Sequence, residues 1–100
     1  MKVRRVIYAE QAEEDLRAIY RWVRDRAGIT TATNYGNRLQ DFCEMLDIGS
    51  ERGTSRTDLM PGLRTIGFER KITIAFVVDT EVVRIVRVFG AGKDWESEFS

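Results

Sequence analysis

The chain has 100 residues, which suits one domain and is too short for two ordinary ones. Apolar residues make up 43%, enough for one modest core, and the formal net charge is zero. That balance argues against a strongly basic nucleic-acid binder, whose affinity comes from neutralising phosphates. Histidine is absent, so no Ser-His-Asp or Cys-His arrangement exists, and the single cysteine, Cys43, excludes an intrachain disulfide and a cysteine cluster for zinc.

Along the chain, Met1–Tyr8 is short, β-branched and partly alternating, and predicts a first strand. From about Glu10 to Arg26 the period changes: Ala12, Leu16, Ile19, Tyr20, Val23 and Ala27 form one apolar stripe at helical spacing. Glu10, Glu13, Glu14 and Asp15 crowd the start of this helix, and Arg21, Arg24 and Arg26 its end, as the helix dipole favours. Gly28 stands where a C-terminal cap needs positive φ. Thr30 or Thr31 is expected to cap a second helix with the stripe Tyr35, Leu39, Phe42 and Leu46, ended by Gly49. The link between the two is short enough only for a helical hairpin. Cys43 falls beside Phe42 and Leu46 and reads as a buried thiol.

Residues 49–62, with Gly49, Gly53, Pro61 and Gly62, read as a loop. The period then becomes two, predicting strands at Leu63–Glu69, Ile72–Asp79 and Val82–Phe89, joined by tight turns at Arg70-Lys71 and Thr80-Glu81. The tail Lys93–Phe99 is expected to form one helical turn with Trp95 and Phe99 spaced to meet. The order β-α-α-β-β-β makes an α+β domain spanning 1–100, a helical hairpin packed on a small, mostly antiparallel sheet, with a short C-terminal tail. Neither a signal-peptide core nor an apolar run near the ~20 residues of a membrane span occurs, which makes the cytoplasm the expected location.

General acid–base chemistry has little to work with here. Glu13, Glu14 and Asp15 are explained by the helix start, and no catalytic residue, metal ligand or cofactor site is expected. Gly90-Ala91-Gly92-Lys93 matches a phosphate loop poorly, because no long helix follows it. The basic residues are more informative. Residues 52–93 carry eight Lys or Arg against four acids. Arg56 and Arg64 flank the loop, Arg84 and Arg87 lie on the last strand, and Lys93 follows it. Arg70 and Lys71, at a hairpin tip, read as solvated surface. In strict alternation Arg87 shares a face with Val83, Ile85 and Phe89, while Arg84 shares the other with Val86 and Val88. An arginine alternating with apolar residues on a core-facing row is less easily explained as solvated surface.

Four fragments, in order and over nearly the whole chain, resemble a known family. They are Asp15-Leu16-x-x-Ile19-Tyr20-x-Trp22-Val23, Ala32-x-x-Tyr35-x-x-Arg38-Leu39, Arg56-x-Asp58-Leu59-x-Pro61-Gly62-Leu63-Arg64 and Arg87-Val88-Phe89-Gly90-Ala91-Gly92-Lys93-Asp94. Together they resemble the ParE branch of the RelE/ParE toxins. The resemblance implies a type II toxin–antitoxin system and a toxin that inhibits DNA gyrase or a related topoisomerase. It also implies a ParD-like antitoxin that wraps its C-terminal segment over the toxin, with operator DNA contacted only through the antitoxin. Many relatives have His where Gly90 stands and Arg where Lys93 stands.

On this reading Trp22, Arg56, Arg64, Arg84, Arg87, Lys93 and Trp95 are the candidates for contact with target or antitoxin, since Trp and Arg are the usual interface anchors. Arg87→Ala is then expected to weaken toxicity without unfolding the chain. The rival reading is a RelE-like, ribosome-dependent mRNA endoribonuclease. That chemistry needs a proton carrier, and the tail offers Trp95 and Phe99, which are none. A third reading is a degenerate toxin that keeps antitoxin binding and has lost its target.

Overall fold

In the computed structural model, which describes residues 4–47 and 52–99, strand β1 (Arg5–Tyr8) leads at Glu10 into helix α1 (Glu10–Ala27). Helix α2 (Ile29–Glu44) follows after one residue and runs into a 3-10 turn at Met45–Asp47. The single linker is Gly28 at φ 92°, whose N–H returns to the Arg24 carbonyl and whose own carbonyl accepts from Ala32. One left-handed glycine thus ends one helix and starts the next. This corrects the expected threonine cap: Thr30 and Thr31 already lie inside α2, which has no side-chain cap. The stop expected at Gly49 and the first three residues of the first strand lie outside the described residues.

Strands β3 (Leu63–Phe68), β4 (Ile72–Val78) and β5 (Val82–Phe89) form an antiparallel meander. The segment expected as pure loop contributes a two-residue strand, β2 (Thr54–Ser55), antiparallel to β3. The five-stranded order is β1-β5-β4-β3-β2, with β1 parallel to β5. Both edge strands are very short, which limits the unpaired backbone offered to other chains.

The β3–β4 turn is centred on Glu69-Arg70, one residue earlier than the alternation suggests. Both have positive φ (48° and 63°), and Lys71 N–H donates to the Phe68 carbonyl at 3.1 Å. This is the primed turn whose twist suits a hairpin, built without glycine or asparagine.

The helices cover one face of the sheet. Ala12, Leu39, Cys43 and Leu46 pack there on Phe68, Ile72, Ile74, Phe76, Val83, Ile85 and Val88. Each fully buried large side chain adds about 1.5–3 kcal/mol. The α1 stripe is correct in direction but shallow, and Ala27 at its end is exposed. On the opposite, rear face a smaller cluster forms from Leu63, Ala75 and Phe89, covered by Leu59, Met60, Val77 and the aromatic rings of a 3-10 turn at Trp95–Phe99.

Candidate binding surfaces

A bulge in β5 decides where its arginines go. Ala75 pairs with Arg87 but Phe76 pairs with Ile85, so Val86 is an extra residue. An inserted residue reverses side-chain parity beyond it. Val83, Ile85 and Val88 therefore face the helices, and Arg87 does not share the row of Val83 and Ile85 that strict alternation assigns to it. It stands opposite Ala75, on the rear side with Phe89, and its guanidinium lies 4.7 Å from the Phe89 ring centre.

The β1 ladder stops at Tyr8 opposite Ile85, and Ala9 N–H donates to the Ile85 carbonyl at 2.9 Å. Beyond that point β1 offers β5 no partner. Asp15, on the first turns of α1, takes over: its carboxylate accepts the Val88 N–H at 2.9 Å and two Arg87 N–H groups at 2.8 and 3.2 Å. Arg87 is 16% exposed and Asp15 11%. Glu98 closes the other side of the guanidinium at 3.1 Å. These carboxylates, Asp15 first, hold the Arg87 pKa above its ordinary value.

Arg56 is built similarly at the start of the Pro61 loop. It donates to both oxygens of Asp58, pairs with Glu96, and lies 5.3 Å from the Trp95 ring centre. The bond to Asp58, then that to Glu96, keeps its proton firmly bound. Trp95 stacks on Phe89 at 6.0 Å, and Phe99 meets the same ring edge-on at 6.0 Å. Arg87 and Trp95 thus meet Phe89 directly, and Arg56 joins them through Trp95.

The other candidates lie elsewhere. Arg64, opposite Phe76, donates to the carbonyls of Arg52 and Gly53 and so ties the loop to β3. Arg84 makes an exposed pair with Asp79 at 3.2 Å. Trp22 and Lys93 line one groove of about 470 Å³ between α1 and the end of the sheet. Ala18, Ile19, Val23 and Ile72 also line it, as does Lys71. Trp22 is 58% exposed, with Arg26 4.3 Å above its ring centre. A second groove of about 510 Å³ runs between the helices, over Leu16, Ile19, Tyr20 and Leu39 with Arg17, Arg21 and Arg24 at its edge.

Sequence reasoning missed Asp15, Glu96 and Glu98 as the partners of the basic cluster, while Lys71, read as surface, is exposed and lines the Trp22 groove. No local signal marks them: the pairings span 72, 40 and 11 positions. Among the described residues no helix is long and apolar enough to cross a membrane.

The family model described as the ParE toxin of the type II toxin–antitoxin system parDE matches residues 6–95. Among solved structures, the chromosomal ParDE toxin–antitoxin system of P. aeruginosa contains a chain similar in fold, with a TM-score of 0.77 and 23% identity. The match covers 89% of this chain and 97% of that one. YafQ from E. coli is more distant, at a TM-score of 0.48 and 15% identity over 89% of this chain and 93% of its own. No curated protein sequence matches.

Proposed function

This chain belongs to the ParE toxin family of type II toxin–antitoxin systems, and on that premise we propose that it acts by binding, as an inhibitor of DNA gyrase or a related topoisomerase held in check by a ParD-like antitoxin. The observation that carries the antitoxin half is the open apolar groove along α1, with Trp22 58% exposed and Lys71 and Lys93 among its lining residues. An unfilled apolar groove with cationic neighbours suits an amphipathic segment bearing carboxylates. The antitoxin's C-terminal segment supplies such a ligand, folding as it binds and covering the hairpin.

The binding mode of action is supported by the state of the rear-face arginines. A nuclease site needs cationic groups free to meet charge developing in the transition state. Arg56 instead holds Asp58 and Glu96, and Arg87 holds Asp15 and Glu98. Operator DNA is then contacted through the antitoxin alone, and the pair works in the cytoplasm, where gyrase is.

The test is expression with and without the neighbouring small reading frame, followed by a supercoiling assay on the purified chain. Inhibition of gyrase, relieved by the neighbour's product, is the expected result. Intact supercoiling together with ribosome-dependent mRNA cuts at defined codon positions would overturn the proposal in favour of the endoribonuclease.

A further inference from the structure

The rear face of the sheet is occupied by the chain's own last turn, and the chemistry of that contact is the chemistry of a ligand. In Trp95-Glu96-Ser97-Glu98-Phe99 two aromatic residues flank two acids. Its rings rest on Phe89 from two sides, Glu96 meets Arg56, and Glu98 meets Arg87. None of these contacts depends on the covalent link to β5.

We propose that the face formed by Phe89 between Arg56 and Arg87 is a receptor for short acidic–aromatic segments, filled here in cis by Trp95–Phe99 acting as a removable strap. A partner segment of the same chemistry, two aromatic residues flanking carboxylates, takes its place when the strap lifts.

Three observations support removal and replacement. The strap hangs from Gly90-Ala91-Gly92, where the space beside two of the three residues is open: a side chain added at Gly90 or Gly92 would meet nothing within 4 Å. The strap's carboxylates are open to solvent, Glu96 at 53% and Glu98 at 38% exposure, so its ion pairs are weak and screened by salt. The receptor, by contrast, survives departure of the strap. Arg56 keeps its fork on Asp58, Arg87 keeps its fork on Asp15, and Leu63, Ala75 and Phe89 remain seated in the sheet. A surface already held in its binding geometry loses little freedom on association. The strap's advantage is its tether, which holds it at high effective concentration, so a free segment competes only when the strap is weakened or the partner is itself tethered nearby.

The inference is independent of which macromolecule the toxin inhibits, and its test reads binding rather than toxicity. The full chain carrying Glu96→Lys and Glu98→Lys, in which both strap ion pairs become repulsive, is titrated against a fluorescent synthetic peptide with the sequence of residues 93–100. The expected result is binding at least about tenfold tighter than by the unsubstituted chain, and about tenfold tighter than for a scrambled peptide of the same composition. Added salt should weaken it. Equal binding by the two chains, or no preference over the scrambled peptide, would overturn the receptor. Circular dichroism confirms that the variant is folded. If charge reversal disrupts folding, Glu96→Gln with Glu98→Gln in the full chain is held to the same two criteria.

Discussion

Asp15 does two things with one carboxylate: it accepts the Val88 N–H that β1 fails to reach, and it grips Arg87 with both oxygens. Removing it leaves a part-buried guanidinium with Glu98 alone and an orphaned Val88 amide. Asp15→Ala should therefore cost about 3–5 kcal/mol in urea unfolding, with Asp15→Asn costing less because one acceptor remains. Arg87→Ala should likewise destabilise by about 3 kcal/mol, so lost toxicity in that variant must be read beside its melting curve. The two measurements together test the expectation that Arg87→Ala weakens toxicity without unfolding the chain. A double-mutant cycle on the pair should show strong coupling, and additive effects would contradict the geometry.

Cys43 is buried beneath the same helices, and burial, aided by nearby Glu44, pushes its pKa from 9.0 up to about 12. The unfolded thiol ionises first, so its stabilising contribution is whole below pH 9 and lost as pH rises towards 12. The loss across that window is on the order of 4 kcal/mol. Tyr8, raised by burial and by its bond to Glu44, acts in the same direction. Alkaline denaturation should therefore begin above pH 9, later in Cys43→Ala once its baseline stability is subtracted. At neutral pH, alkylation of Cys43 should proceed only as fast as the chain opens.

At the scale of elements, amphipathic period and turn chemistry made both helices and the last three strands legible. α1 and β5 were read within a residue of their observed bounds. The misreadings share a cause, which is that local pattern does not report backbone irregularity. The extra residue Val86 is invisible in a run of alternating valines and arginines, because Val-Arg-Ile-Val-Arg-Val reads equally well with or without a bulge. The two-residue β2 is too short to show a period and exists because Arg56 N–H, past its end, still finds the Leu63 carbonyl at 2.8 Å. The turn at Glu69-Arg70 lacks every favoured residue. It is braced by Arg38 of α2, which donates twice to Glu69 at 2.9 and 3.1 Å. Arg70 gains no such brace and holds φ 63° at a steric cost. Arg70→Gly should raise stability by about 1 kcal/mol, seen as a rise of roughly 4–8 °C in Tm. An unchanged or lower Tm would show that Arg70 is not strained.

For the whole molecule, the proposed antitoxin groove is set apart from the contacts that carry stability. The helix-side core and the Asp15–Arg87 pair hold the fold, while Trp22 stands 58% exposed at the far end of the hairpin and contributes little to it. Trp22→Ala should leave the unfolding midpoint within about 0.5 kcal/mol of the parent. Its effect should appear in complex formation, where loss of an aromatic anchor costs about 2 kcal/mol or more in affinity for the neighbouring gene's product. Calorimetry with that product, alongside a melt of the variant, separates the two effects. A large drop in stability with unaltered affinity would place Trp22 in the fold instead.

The amino-acid sequence by itself determined the class of this protein, its helical hairpin, its meander and its family resemblance, because those rest on periodicity and motif spacing within stretches of chain. Tertiary structure alone decided the parallel placement of β1 against β5, the rear-face cluster, and the fate of the basic residues. Seven candidates equal in the sequence became three groups: Arg56, Arg87 and Trp95 locked with acids around Phe89, Trp22 and Lys93 on an open groove, and Arg64 and Arg84 in local ties. The reason is physical: an arginine's role depends on which acceptors the fold brings within about 3 Å of it, and the carboxylates that set Arg87 and Arg56 apart, Asp15 and Glu96, come from distant parts of the chain.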